Sequence, residues 1–355
     1  MTSDSLDRAK SHGMLPEGLG WRVFTITAIA LVVLGLAAAI WFAIDVLLLL
    51  FAAVLLANLL MAPTDWLVGR GLPRGGALAL VVAATVLLLA ALGAALVPSV
   101  AAQVPELASS LGDAVERLRS GVGLSAWAKE IGSEIDIKSM LPSPTGIIGG
   151  ATGVISSTFG AFANMIIVIV IALYLTASPG LYLDGAVRLI PHARRARVRS
   201  TLVAVGHTLR WWFAGQLVSM SVVGGLTFLG LTLLGVPLAL VLAVIAFVLA
   251  FVPYIGPILA GILVVLVAFT VGSATAAWAI LLYAGIQSVE SYLVTPMIQR
   301  RSVDLPPALT VVAQVLLGVL LGGLGIMLAT PLAAAGMVAV ERLYLQGVLG
   351  EEGPD

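Results

Sequence analysis

The chain has 355 residues, of which 60% are hydrophobic and 10% charged, with zero formal net charge and no cysteine. That is more apolar surface than one water-soluble core can hide, so the chain reads as an integral membrane protein. Zero net charge gives no footing for a nucleic-acid partner, and the absence of cysteine excludes disulfides, thiol catalysis and cysteine-ligated metal.

Residues 1–21 form a polar tail of mixed charge carrying Arg8 and Lys10. Apolar runs follow at 22–43, 45–62 and 76–98. Each is near the roughly 20 residues needed to cross about 30 Å of hydrocarbon, so 22–98 is read as an N-terminal group of transmembrane helices. The first run is too long for a signal-peptide core and lacks a cleavage site. In 99–148, Val104, Leu107, Leu111, Val115 and Leu118 recur at spacings of three and four. This predicts an amphipathic helical segment lying on the membrane surface or against neighbouring subunits. A further span, 149–177, is preceded and opened by Gly146, Gly150, Gly153 and Gly160, small residues that let helix backbones approach closely in lipid.

Lys and Arg placement orients these elements. Arg70 and Arg74 follow the second run, and 178–210 holds Arg188, Arg194, Arg195, Arg197, Arg199 and Arg210 against Asp184 alone. These belong on the cytoplasmic side. Residues 99–148 carry more acids than bases and belong outside. The predicted topology is multi-pass, with both termini cytoplasmic and 346–355 as a short tail. Spans before residue 210 read as packing surface and predict a homo-oligomer.

Residues 211–345 are read as the core, with full spans at 211–234 and 275–294. Between and after them two apolar tracts are broken. Tract 237–271 is interrupted by "PYIGP", holding Pro253, Tyr254, Gly256 and Pro257; tract 305–341 is interrupted at Gly322 to Gly325. Each first arm is too short for a comfortable crossing, and the backbone groups freed at a Pro or Gly break must be buried in protein or face water. Two re-entrant helical hairpins with facing tips satisfy both conditions. A shift of 69 residues pairs Pro237 with Pro306 and Gly256 with Gly325. The span before the first hairpin leads out and the span before the second leads in, so an inverted repeat with a midplane binding site is predicted. The fold class is therefore an all-α polytopic membrane protein of about six full spans plus two broken hairpins.

Between Arg210 and Arg300 the one formally charged side chain is Glu290. Tyr283, Gln287, Glu290 and Ser291 share a helical face, and an intramembrane carboxylate is a functional candidate. Pairing with Arg300 or Arg301 is the structural alternative for Glu290. Gln216, Asn164, Asn58 and Gln314 fit helix–helix hydrogen bonds. The candidate solute and ion pathway comprises Pro253, Tyr254, Gly256, Pro257, Tyr283, Gln287, Glu290, Gln314, Gly322 and Gly325, with no catalytic residue, metal ligand or cofactor. His12, His192 and His207 lie outside or at the edge of spans, and no H-E-x-x-H, G-x-S-x-G or nucleotide-binding G-x-x-x-x-G-K-[ST] occurs. An enzyme and an ATP-driven pump are both disfavoured.

"FVLAFVPYIGPILAGI" and "IQSVESYLVTPMIQRRSVDLPPALTVVAQVLLGVLLGGLGIMLATPLAAA" resemble the C-terminal half of the autoinducer-2 exporter family of bacterial inner-membrane permeases. The resemblance rests on Pro253, Gly256, Pro257, Gln287, Glu290, Pro296, Pro307, Gly322, Gly325 and Pro331; Ser291 departs from it, the family commonly carrying Asn there. It implies an inner-membrane exporter of small polar molecules such as autoinducer-2; with no nucleotide-binding loop in the chain, active transport is expected to run on an ion gradient, with a proton or sodium as coupling ion. Sodium/proton antiport is an alternative within the family. A membrane scaffold without transport activity is the alternative of another class.

Overall fold

The computed structural model describes residues 19–119, 164–299 and 305–349, all helices and short connections. The glycine-rich opening of span 149–177, the remainder of segment 99–148, and Arg300 and Arg301 lie outside the described residues. Residues 50–355 form one compact unit, and the contacts below lie within it.

Helix α1 runs Leu19–Val68. It is unbroken at 43–45, where the sequence pattern separates two spans. Nothing from Leu36 to Ala62 is Pro or Gly, so no residue there ends a helix, and Asp45 alone does not. Helix α2, Arg74–Arg119, likewise continues the third span through Pro98 and Pro105 into the amphipathic segment. Leu107 and Leu111 of the predicted stripe are buried against the chain's own first hairpin, whereas Val104 is exposed. Helix α3, Asn164–Ala177, bends by 91° into α4, Pro179–Arg188. Small residues set the approach of α3 to α1: Ala53, Ala57 and Ala172 are buried together, and Thr176 Oγ1 donates to Ala172 O at 2.8 Å and Ala57 O at 3.4 Å.

After the short turn His192–Arg194, α5 runs Arg195–Leu233. Arg195 holds that turn by donating to the carbonyls of Ile190 (2.9 Å) and Arg188 (3.0 Å), which α4 leaves unpaired at its end. Asp65 meets Arg74 at 3.4 Å and Arg210 at 3.6 Å, and Arg74 Nε donates to Thr176 O at 3.2 Å. The ends of α1, α2 and α3 and the middle of α5 therefore share one face, as the charge pattern requires for Arg74 and Arg210. Half-exposed pairs of this kind contribute under about 1 kcal/mol each, so they mark geometry more than stability.

The first broken tract is α6, Ala239–Leu249, and α7, Ile255–Val271. Eleven residues of α6 rise only about 16 Å, half the hydrocarbon thickness. The two helices pack on one another, α6 also against α5 and α7 against α2, and their core holds Val241, Leu242, Val264 and Val267. Helix α8, Ser273–Val289, passes into a π-helical turn, Glu290–Val294, and then α9, Thr295–Gln299.

The second tract, α10, is assigned as Pro307–Val340 but is a hairpin. Gly322 has φ 65° and ψ −148°, a conformation open to glycine alone. Gln314 Nε2 lies 3.4 Å from Thr330 Oγ1, whereas sixteen residues of straight helix would set them about 24 Å apart. A π-helical stretch, Glu341–Leu349, continues from it. The hairpins share one device. A Cβ on Gly256 would fall 1.7 Å from Leu249 O, and one on Gly325 would fall 2.1 Å from Leu317 O. These are the two glycines that the 69-residue shift superimposes, and each lets a returning arm touch a carbonyl of its partner arm.

Candidate functional site

The break in the first hairpin is built around Pro253 and Tyr254. Tyr254 has φ 65° and ψ −60°, and Ile255 N donates to Pro253 O at 2.8 Å, which makes a γ-turn of the strained hand. Non-glycine residues hold such angles only where surroundings over-determine them. Two glutamines supply that constraint. Gln216 Nε2 on α5 donates to Ala250 O at 2.6 Å, and Gln314 Nε2 on α10 donates to Pro253 O at 2.9 Å. Phe251 packs edge-on against Trp212 and Phe213 with ring centroids 5.9 and 6.0 Å apart. Carbonyls that hydrocarbon could not satisfy are thus paired within the protein.

The Pro253 contact also locates the hairpins relative to each other. Its partner Gln314 lies eight residues before the Gly322 turn, about 12 Å along the arm. The first tip therefore docks at the middle of the second hairpin, against Gln314 and Thr330, and not against Gly322 as the facing-tip expectation had it. Gly256, Gln314 and Gly325 are buried behind the resulting cavity wall, and Gly322 is likewise absent from it.

The cavity has a volume of about 670 Å³, in the range that takes a small organic molecule. Pro253, Tyr254 and Pro257 form one side of it; Tyr283, Gln287 and Glu290 form another. Thus six of the ten sequence-predicted pathway residues line a single space. Helix α5 adds Trp212, Gln216 and Ser219, and the second hairpin adds Thr310 and Thr330. Trp212 and Ser219 were missed by sequence reasoning, although Trp212, Gln216 and Ser219 at spacings of four and three repeat the logic that found the Tyr283 face.

Glu290 ends α8 where the helix widens into its π turn, a local irregularity that often re-aims a functional side chain. Its carboxylate accepts a hydrogen bond from Ser219 Oγ. Among the described residues it has no Lys or Arg partner; Arg300 and Arg301 are outside them. Nearby, Tyr283 Oη and Gln287 Nε2 are buried and make no hydrogen bond of good geometry among the described residues, although the Gln287 side chain interacts with both Tyr283 and Glu290. Tyr283, 7% exposed, fits because α7 presents Gly261 to its ring: a Cβ there would lie 2.9 Å from Cε1. A lone carboxylate beside buried donors that lack a good hydrogen bond is suited to a polar solute or a cation. No group of three or more His, Asp or Glu able to hold a metal occurs among the described residues.

Residues 29–345 match the family described as AI-2E family transporter. The chain belongs to that family. Across 302 residues it is 28% identical to "Putative transport protein MT0215" of Mycobacterium tuberculosis (strain CDC 1551 / Oshkosh), covering 82% of this chain and 81% of the relative. Across 301 residues it is 25% identical to "Putative transport protein YueF" of Bacillus subtilis (strain 168), covering 80% and 82%. The AI-2E match takes in both hairpins and the whole cavity, so the cavity belongs to a multi-pass membrane transporter.

Proposed function

We propose that the chain is a secondary transporter of a small polar solute, using the 670 Å³ cavity between the hairpins as its binding site and Glu290 as the group that engages a proton or sodium ion. The observation that carries this reading is the convergence, on one cavity wall, of the one carboxylate of residues 211–299 with two buried donors that lack a good hydrogen bond. Resemblance and membership support export of an autoinducer-2-like molecule across a bacterial inner membrane, and the placement of Lys and Arg supports both termini cytoplasmic. Sodium/proton antiport is the second reading, favoured by the Ser219–Glu290 pair, which could hold a cation with no solute present.

Flux in proteoliposomes decides between them. Under an imposed proton or sodium gradient, a panel of small polar solutes including autoinducer-2 should contain one whose accumulation collapses with the gradient. Ion exchange that needs no solute would replace this reading with antiport. Neither solute nor ion flux from correctly inserted protein would leave a scaffold.

A further inference from the structure

A second cavity, of about 550 Å³, lies between the start of α5 and the C-terminal π-helical stretch. Arg194, Arg197, Arg342 and Gln346 line it. None of the three arginines has a carboxylate partner among the described residues, while neighbouring Arg199 and Arg210 both do. Like charges gathered without counter-charge repel, so the arrangement is stabilised when an anion enters it. Arg197 is also pre-set. Its Nη1 donates to Gly347 O at 2.9 Å, and Gly347 leaves room beside it, since a Cβ there would lie 3.0 Å from the same atom. Its Nε and Nη2 remain to bind a ligand. The nearby Ser200 hydroxyl already donates to Arg197 O, leaving the guanidinium forks and the Gln346 amide as the donors. Guanidinium forks suit the oxygens of a phosphate group.

The depth of the site fits a bilayer surface. Helix α4 turns 91° from α3 at the end where Arg74 bonds Thr176, and Asp184 of α4 holds Arg199 at 2.7 Å. Arg194 and Arg197 precede Arg199 within five residues, on the part of α5 that α4 contacts.

We propose that this groove is a phosphate-binding site, bridging α5 and the C-terminal stretch through a phosphate group carried by a membrane lipid or free in solution. The full chain in nanodiscs tests it, with native mass spectrometry and thermal stability as readouts. In discs mixing phosphatidylcholine and phosphatidylglycerol, the wild type should retain phosphatidylglycerol through delipidation. A variant carrying Arg194→Gln, Arg197→Gln and Arg342→Gln should bind it roughly a hundredfold more weakly, about fivefold per arginine. In phosphatidylcholine discs, added inorganic phosphate measures the free-anion source; a rise in Tm absent from the triple variant, and not matched by chloride, assigns the site to free phosphate. The corresponding triple lysine variant keeps the charges and should retain measurable binding, which separates loss of ligand from loss of fold. Equal retention by wild type and the glutamine variant, with no phosphate-specific shift in either, would overturn the proposal.

Discussion

Tyr254 and Gln314 concentrate the strain and its restraint at single residues. The γ-turn at Tyr254 costs about 1–3 kcal/mol that glycine would not incur. Tyr254→Gly is expected to leave Tm unchanged or higher while weakening solute flux, because the ring is lost from the cavity; a fall in Tm of several degrees would show that the turn is not strained. Gln314→Leu removes the donor that braces Pro253 O. It should cost about 1–2 kcal/mol and raise hydrogen exchange across 250–256 more than across 262–270; uniform exchange would deny the bracing role. Glu290 was legible because it is the one charge between Arg210 and Arg300, and the Tyr283–Gln287 face because its polar residues repeat at helical spacing. Ser219 shares a helical face with Trp212 and Gln216, but that spacing names no partner for it. Its importance arises from a pairing with Glu290 seventy-one positions away, which no local pattern encodes.

At the scale of elements, the two breaks were readable from proline and glycine set in apolar sequence, since these residues interrupt a helix and the backbone groups they free must be buried in protein or face water. How the hairpins interlock was not readable, because it depends on a glutamine side chain reaching a carbonyl sixty-one residues away. The merged helix α1 shows the converse: an isolated Asp45 suggests a boundary, yet a helix continues where no breaker stops it. Two measurements check the hairpins. Spin labels at Val312 and Leu332 should report a separation well below the roughly 30 Å of a straight helix; a distance near 30 Å would contradict the reversal at Gly322. Alanine at Gly256 or Gly325, where a Cβ would meet a carbonyl at 1.7 or 2.1 Å, should sharply reduce folded protein, whereas Gly323→Ala, with open space around it, should be tolerated. Similar yields from all three would mean that the arms do not approach so closely.

Across the whole molecule, the hairpins, α5 and α8 line the cavity, while α2 exposes Val86, Leu87, Leu88 and Leu89 on a broad apolar surface. Assembly of copies through the N-terminal helices is proposed for this surface, and cross-linking in native membranes should trap oligomers if it holds. The central claim is that Glu290 couples an ion to solute movement. Its direct test is Glu290→Gln in proteoliposomes, comparing solute counterflow with net gradient-driven transport. A neutral side chain of the same shape can hydrogen-bond but cannot exchange charge with the coupling ion, so counterflow should persist while net transport is lost. Unchanged net transport in the correctly inserted variant would contradict the account and assign Glu290 to architecture.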